Sequence, residues 1–205
     1  MNFLKALFFC FAIIFSCTAA GSSYIPREAY RYNSYFIRQA RFEYGMDAPI
    51  AMLASQVHQE SAWNLRARSL YANGLAEFTP DTEKWIINLF PDIGNQGAMD
   101  PHWSIRALMR YDHRLLNQVK GKDDCSDWAF ALSAYNGGLG WVYKDQKLTA
   151  SKGKDPLVWW NNVELYSARA PQFVKENRGY PERIIHKHQP YYLKDGRWGT
   201  EKVCK

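Results

Sequence analysis

Beyond residue 20 the chain has no apolar run approaching the ~20 residues that a bilayer span requires. A pore-forming or membrane-spanning body therefore has little support. Sustained strand-like alternation is absent, as are internal repeats and low-complexity stretches. Basic runs interleaved with aromatics are also missing, so nucleic acid is not an expected partner. Cysteine is scarce: four in all, with Cys10 and Cys17 inside the first 20 residues. The remaining two, Cys125 and Cys204, are candidates for one disulfide, although sequence alone leaves their meeting open. Nothing around Cys125 suggests a nucleophile. Histidines are few and badly spaced for a metal. His58 stands two residues before Glu60, outside the spacing of a paired-histidine zinc helix, and reads as a solvated or core side chain. His186 and His188 flank Lys187 with no third ligand in evidence, so no metal site is expected.

The amino-terminal 20 residues read as an export signal. Lys5 precedes a nearly continuous apolar stretch from Ala6 to Cys17, and Thr18-Ala19-Ala20 suits cleavage. Retention as an anchor and lipidation of Cys17, in Ile14-Phe15-Ser16-Cys17, both remain open. The expected location is outside the cytoplasm, in the periplasm or cell envelope. The mature part, residues 21–205, is long enough for one full core, with 47% apolar and 16% aromatic residues overall. Removing Lys5 from the 26 Lys and Arg, against 20 Asp and Glu, leaves a net charge of +5, which favours loose adhesion to polyanions such as cell walls.

Helical signals punctuated by Gly, Pro and Asp run along this part. Arg27 to Tyr44 ends at Gly45, and Pro49 to Ser61 follows. Thr79-Pro80 and Asp100-Pro101 each combine a cap with a first-turn proline. Ser126 or Asp127 is expected to cap a segment ending at Asn136-Gly137-Gly138. Asp155-Pro156, Ala170-Pro171 and Pro181 open later segments, while 121–124 and 144–154 read as surface loops. The fold class is mainly α, a single helical domain. Within the second helix Ile50, Leu53, Val57 and Glu60 are spaced by 3, 4 and 3, so they share a face. A carboxyl continuing a buried face is desolvated, which raises its pKa toward proton donation near neutrality. The plainer alternative is a structural ion pair with Arg66 or Arg68.

Four further stretches bear on that choice: Glu60-Ser61-Ala62-Trp63-Asn64 with Ala67-Arg68-Ser69, Gly74-Leu75-Ala76-Glu77-Phe78-Thr79-Pro80, Ala134-Tyr135-Asn136-Gly137-Gly138, and Glu176-Asn177-Arg178-Gly179-Tyr180. In this order they resemble the soluble lytic transglycosylase domain, a lysozyme-like helical family related to goose-type lysozymes that cleaves peptidoglycan. The resemblance spans about Asp47 to Tyr180. It implies that Glu60 is the catalytic acid, that Ser69 lies near the scissile sugar, and that Tyr135 holds or polarises the acid. Asn136 shares that turn, Glu176 lies in a later cleft segment, and Glu77 and Thr79 join the substrate-binding set. The implied reaction cleaves the β-1,4 bond between N-acetylmuramic acid and N-acetylglucosamine and forms a 1,6-anhydro ring. One protein carboxylate suffices, no cofactor is needed, and the partner is a glycan strand met by a monomer.

The family pattern has Gly-Leu-Met-Gln where this chain has Gly74-Leu75-Ala76-Glu77. Glu77 can replace the glutamine silently, raise the pKa of Glu60 by like-charge repulsion, or position a water for hydrolysis. Rival readings are a goose-type muramidase and a catalytically silent wall-binding module. Ser61 reads as a structural hydrogen-bonding residue. Trp159-Trp160 and Tyr191-Tyr192 read first as packing aromatics, with extension of a sugar cleft as the alternative.

Overall fold

A computed structural model describes residues 24–204; the expected signal at 1–20 and Cys17 lie outside them. Eight α-helices occur among the described residues: α1 (Arg27–Tyr44), α2 (Ile50–Ser61), α3 (Pro80–Leu89), α4 (Pro101–Leu116), α5 (Asp124–Gly137), α6 (Leu139–Ser151), α7 (Pro171–Glu182) and α8 (Gln189–Asp195). Among the described residues there is no sheet, only two isolated bridges that pair Asn73 with Arg68 and with Phe78. The domain is mainly α-helical, as its composition and punctuation imply.

The apolar stripe on α2 understates how deeply that helix is set. Every residue from Ile50 to Val57 is buried, Ser55 and Gln56 included. Such a helix belongs inside a bundle rather than on its surface, and α2 packs against α1, α8 and the turn preceding α8. It stops where Ala62 and Trp63 take left-handed backbone angles (φ 50° and 61°). The turn drives Trp63 into the core, where its Nε1 donates to the Tyr192 hydroxyl at 2.8 Å. Phe36, Trp63, Trp198 and Tyr192 form one aromatic cluster with ring centroids 5.2–5.9 Å apart along its contacts. Trp103 and Trp159 are fully buried too, so packing accounts for much of the tryptophan content.

Four boundaries differ from the sequence reading, each for a physical reason. The cap of α5 is Asp123, which accepts from Ser126 N at 2.7 Å, rather than Ser126 or Asp127. The Asp127 carboxylate instead binds the Gly121 amide, and the Ser126 hydroxyl accepts from Trp159 N. The expected loop 144–154 is mostly helix α6. Its inward stripe is Val142, Asp145 and Thr149, polar enough to escape a hydrophobic-periodicity test. Asp145 is buried between the guanidinium groups of Arg169 and Arg178, and also accepts from Ala168 N at 2.7 Å. Asp155-Pro156 opens turns and a 3-10 turn at Val163–Leu165 rather than a longer helix. Pro181 lies inside α7, and the chain continues through a π-helical turn, Arg183–His188, into α8. The proline whose missing N–H falls in that turn is Pro190, four residues after the His186 carbonyl, and the wider i→i−5 spacing, as in Gln189 N to Ile184 O, carries the helix up to it.

Cys125, at the start of α5, is bridged to Cys204 across a separation of 79 residues. This tie holds the tail that carries Trp198 and Val203 into the core. Closing a loop of that size stabilises a domain by about 2–5 kcal/mol. Cys204→Ser is therefore expected to lower the thermal midpoint markedly. Reductant should reproduce the loss in the parent and add nothing in the variant; equal midpoints throughout would remove the bridge from the stability of the fold.

Candidate active site

Glu60 lies in the last turn of α2 at the floor of a cleft of ≈ 230 Å³, lined also by Glu77, Phe78, Thr79, Thr82, Tyr111, Tyr135 and Asn136. Five elements meet there. The end of α2 supplies the carboxyl. A tight loop supplies Glu77 and Phe78, α3 and its cap supply Thr79 and Thr82, and α4 and α5 supply Tyr111, Tyr135 and Asn136.

The loop is built around Gly74. Asn73 and Phe78 exchange backbone hydrogen bonds of 3.0 and 3.1 Å across the residues Gly74 to Glu77. Gly74 has φ 76°, and a Cβ there would meet the Ala98 carbonyl oxygen at 1.8 Å, so only glycine fits. Leu75 and Ala76 point inward and are buried. Ala76 is held at both ends: its N–H donates to the Ser104 hydroxyl and its carbonyl accepts from the Tyr135 hydroxyl. Glu77 follows with φ 46°, a left-handed conformation that is costly for a side-chain-bearing residue and turns it to the cleft. Thr79 caps α3 by accepting from Thr82 N at 3.2 Å.

The hydroxyl bonded to the Glu60 carboxyl is that of Tyr180, on α7, which donates to Oε1. Tyr135 stacks nearly parallel to Tyr180, at 8° and 6.3 Å, while its own hydroxyl is committed to Ala76 at 2.8 Å. Neither Arg66 nor Arg68 forms an ion pair with Glu60. Burial pushes the Glu60 pKa up to about 8 from an ordinary 4.5. The Tyr180 hydrogen bond opposes this, and the neighbouring carboxyls of Glu77 and Glu176 add to it. Desolvation also raises the Glu77 carboxyl. A protonated carboxyl at neutral pH, steadied on one oxygen and open to a cleft, can give a proton to a bound group and take one back.

Of the residues singled out in the sequence, Glu60, Glu77, Thr79, Tyr135 and Asn136 converge on this cleft. Ser69 and Glu176 do not line it. The Ser69 hydroxyl holds its own turn, accepting from Ala72 N at 2.9 Å and from Tyr71 N at 3.2 Å. Glu176 is exposed and pairs with Arg183 at 2.5 Å, on the rim of a neighbouring groove of ≈ 400 Å³ that also contains Asn136, Trp141 and Phe173. Phe78, Thr82, Tyr111 and Tyr180 were not singled out. Tyr180 stood inside a quoted motif and Phe78 inside another, whereas Tyr111 and Thr82 carried no local signal. His58 is stacked on His188 at 4.4 Å, and burial pushes the two down to about 4 and about 3, so both are neutral packing groups. Ser61 bonds back to the Val57 carbonyl at 3.4 Å. Trp159 and Tyr192 are fully buried, and Trp160 packs against His186.

A family model of the transglycosylase SLT domain matches residues 36–158, which include Glu60 and every other residue lining the cleft. The chain belongs to the transglycosylase SLT domain family. Curated proteins similar to it include membrane-bound lytic murein transglycosylase F of Shewanella halifaxensis, 34% identical over 124 residues (59% of this chain, 25% of the relative). The Pasteurella multocida protein of that name is 37% identical over 166 residues, 70% of this chain and 32% of its own. That of Vibrio cholerae is 32% identical over 122 residues, 57% and 21% respectively. The chain thus spans a third or less of the length of these relatives. Tyr180, the hydrogen-bond donor to Glu60, lies beyond the SLT match.

The raised carboxyl has a stability signature. In the folded SLT domain Glu60 keeps its proton up to about pH 8, whereas the unfolded chain releases it near pH 4.5. Stability therefore falls across that window as pH rises, by up to about 1.4 kcal/mol per pH unit. Glu60→Gln cannot titrate, so its thermal midpoint should gain on the parent progressively between about pH 5 and about pH 8. Parallel melting curves across that range would refute the raised pKa.

Proposed function

We propose that this SLT domain is a peptidoglycan lytic transglycosylase, with residues 21–205 forming an exported catalytic unit of lysozyme-like fold that acts in the periplasm or cell envelope. The observation that carries the reading is the buried Glu60 carboxyl, bonded by Tyr180 and set in a cleft walled by tyrosines and by hydroxyl and amide groups. Family membership and the names of the relatives support it. Among the described residues no helix is long and apolar enough to cross a membrane.

In the proposed reaction Glu60 gives its proton to the bridging oxygen between N-acetylmuramic acid and N-acetylglucosamine. The C1–O bond breaks, and its electron pair leaves with that oxygen. The substrate's own acetamido group supports the positive charge at C1. Glu60, now a carboxylate, removes the proton from the muramic 6-hydroxyl, and O6 closes onto C1 as the 1,6-anhydro ring. The acid is thereby regenerated. Tyr180 steadies the carboxylate formed midway, because its hydrogen bond favours the charged state. Asn136, Thr79 and Thr82 supply hydrogen-bonding groups for the sugar, and Tyr111, Tyr135 and Phe78 supply ring surface.

Glu77 favours a second outcome. It brings another carboxyl to the same cleft, and two carboxyls are what a hydrolytic muramidase commonly uses. Mass spectrometry of digested walls separates the two: anhydro ends are expected, and reducing ends would overturn the transglycosylase reading. Glu60→Gln should lower wall lysis by about 10²–10⁴-fold while the protein still co-sediments with walls. Undiminished lysis would remove Glu60 from the chemistry.

The pH profile tests the two neighbours of Glu60 in opposite directions. Activity should decline as pH passes about 8, where the acid loses its proton. Glu77→Gln removes a repelling carboxyl and should move that limb to lower pH. Tyr180→Phe removes a hydrogen bond to the carboxylate and should move it to higher pH. Shifts of the same sign in both variants would contradict the electrostatics of the site.

A further inference from the structure

Behind the cleft lies a polar pair that the proposed chemistry does not use. Asp112 of α4 and Gln56 of α2 are both completely buried. Gln56 Nε2 donates to Asp112 Oδ1 at 3.2 Å. The two remaining atoms of the pair, Gln56 Oε1 and Asp112 Oδ2, have no partner. With an ionised Asp112 both are buried acceptors without a donor, and the charge is buried without a counter-ion. Exchanging the amide O and N of Gln56 would set two acceptors, the amide oxygen and Asp112 Oδ1, against each other. A proton on Asp112 Oδ2 would supply the missing donor, and a carboxylic acid and an amide can share two hydrogen bonds in a ring.

The surroundings favour the same state. The titratable groups close enough to Asp112 to feel its charge are Tyr44 of α1, Glu60 of α2, Tyr111 of α4, Tyr135 of α5 and Tyr180 of α7. All are neutral or acidic. Among the described residues no lysine or arginine offsets the burial, which pushes the Asp112 carboxyl well above the usual carboxylate range.

We infer that Asp112 is a neutral carboxylic acid paired cyclically with Gln56, and that this pair is a positioning device locking α2 to α4 beneath Glu60 without adding a charge there. Gln56 precedes Glu60 by one helical turn, and Asp112 follows Tyr111 directly, so the lock joins the floor of the cleft to one wall. An ionised Asp112 in its place would oppose the carboxylate that Glu60 becomes during the reaction. The positioning role rests on the proposed chemistry of Glu60; the protonation of Asp112 does not.

Carbon-13 labelling of aspartate side-chain carboxyls tests the protonation directly. An ordinary aspartate is ionised from about pH 5 to about pH 9. One resonance should instead stay at its protonated position across that range and be missing from Asp112→Asn. Ionisation of every aspartate over the range would overturn the inference, whatever the enzyme does to walls. Asp112→Asn preserves both hydrogen bonds as an amide–amide pair, so the alkaline limb of wall lysis should stay at its original pH. Movement of that limb to lower pH would mean that a negative charge had been removed, and would overturn the neutral acid. Gln56→Leu leaves the acid unpaired and should lower kcat more than it changes KM. A kcat equal to that of the parent would overturn the positioning role.

Discussion

A carboxyl that keeps its proton at neutral pH must be withheld from water, and in this domain the burial of α2 does that. The helix is enclosed over its first eight residues, and Glu60 emerges only at its last turn, at the floor of the cleft. Desolvation is the largest influence on Glu60, ahead of the Tyr180 hydrogen bond and the neighbouring carboxyls. The aromatic cluster of Phe36, Trp63, Tyr192 and Trp198 and the disulfide that ties the tail serve the same end, because they hold the shell around α2 closed. The Asp145–Arg169–Arg178 cluster extends this to α7. Arg178 also donates to the carbonyls of Val163, Glu164 and Tyr166, which fixes the helix that brings Tyr180 to Glu60.

The loop from Asn73 to Phe78 adjusts what burial has set. Gly74 allows the backbone to pass against Ala98, Ala76 is pinned by Ser104 and Tyr135, and Glu77 is thereby turned into the cleft in a left-handed conformation. The family's usual Met-Gln at these positions is replaced by Ala-Glu, which exchanges a neutral amide for a carboxyl in view of Glu60. The electrostatic consequence is a further push of Glu60 toward its protonated form. Tyr180 pulls the other way, and the balance sits close to neutrality, where the proposed exchange of acid and base roles would place it.

Much of the helical order was legible because caps and prolines are local signals. Thr79-Pro80 and Asp100-Pro101 mark α3 and α4, and Gly45 marks the end of α1. Helix α6 was hidden, since its buried stripe contains Asp145 and Thr149, whose burial is intelligible only once Arg169 and Arg178 arrive from elsewhere in the chain. Pro181 misled for the converse reason: a residue that ordinarily ends or begins a helix lies here within α7. In the cleft, Glu77, Tyr135 and Asn136 were readable from motif order. Tyr111 and Thr82 were not, because each belongs to a helix face that acquires meaning only when that helix is placed.

The linear sequence by itself determined the helical class, the stripe that ends in Glu60, the tight turn at Gly74 and the departure at Glu77, since each depends on residues within a few positions of one another. Tertiary structure alone decided which groups touch the acid. Tyr180 lies 120 positions from Glu60, and Gln56 and Asp112 lie 56 apart. Their effects on a proton depend on distance and on the exclusion of water, and neither exists until α2 is enclosed by α1, α8 and the turn before α8, with α4 and α7 reaching it through Asp112 and Tyr180.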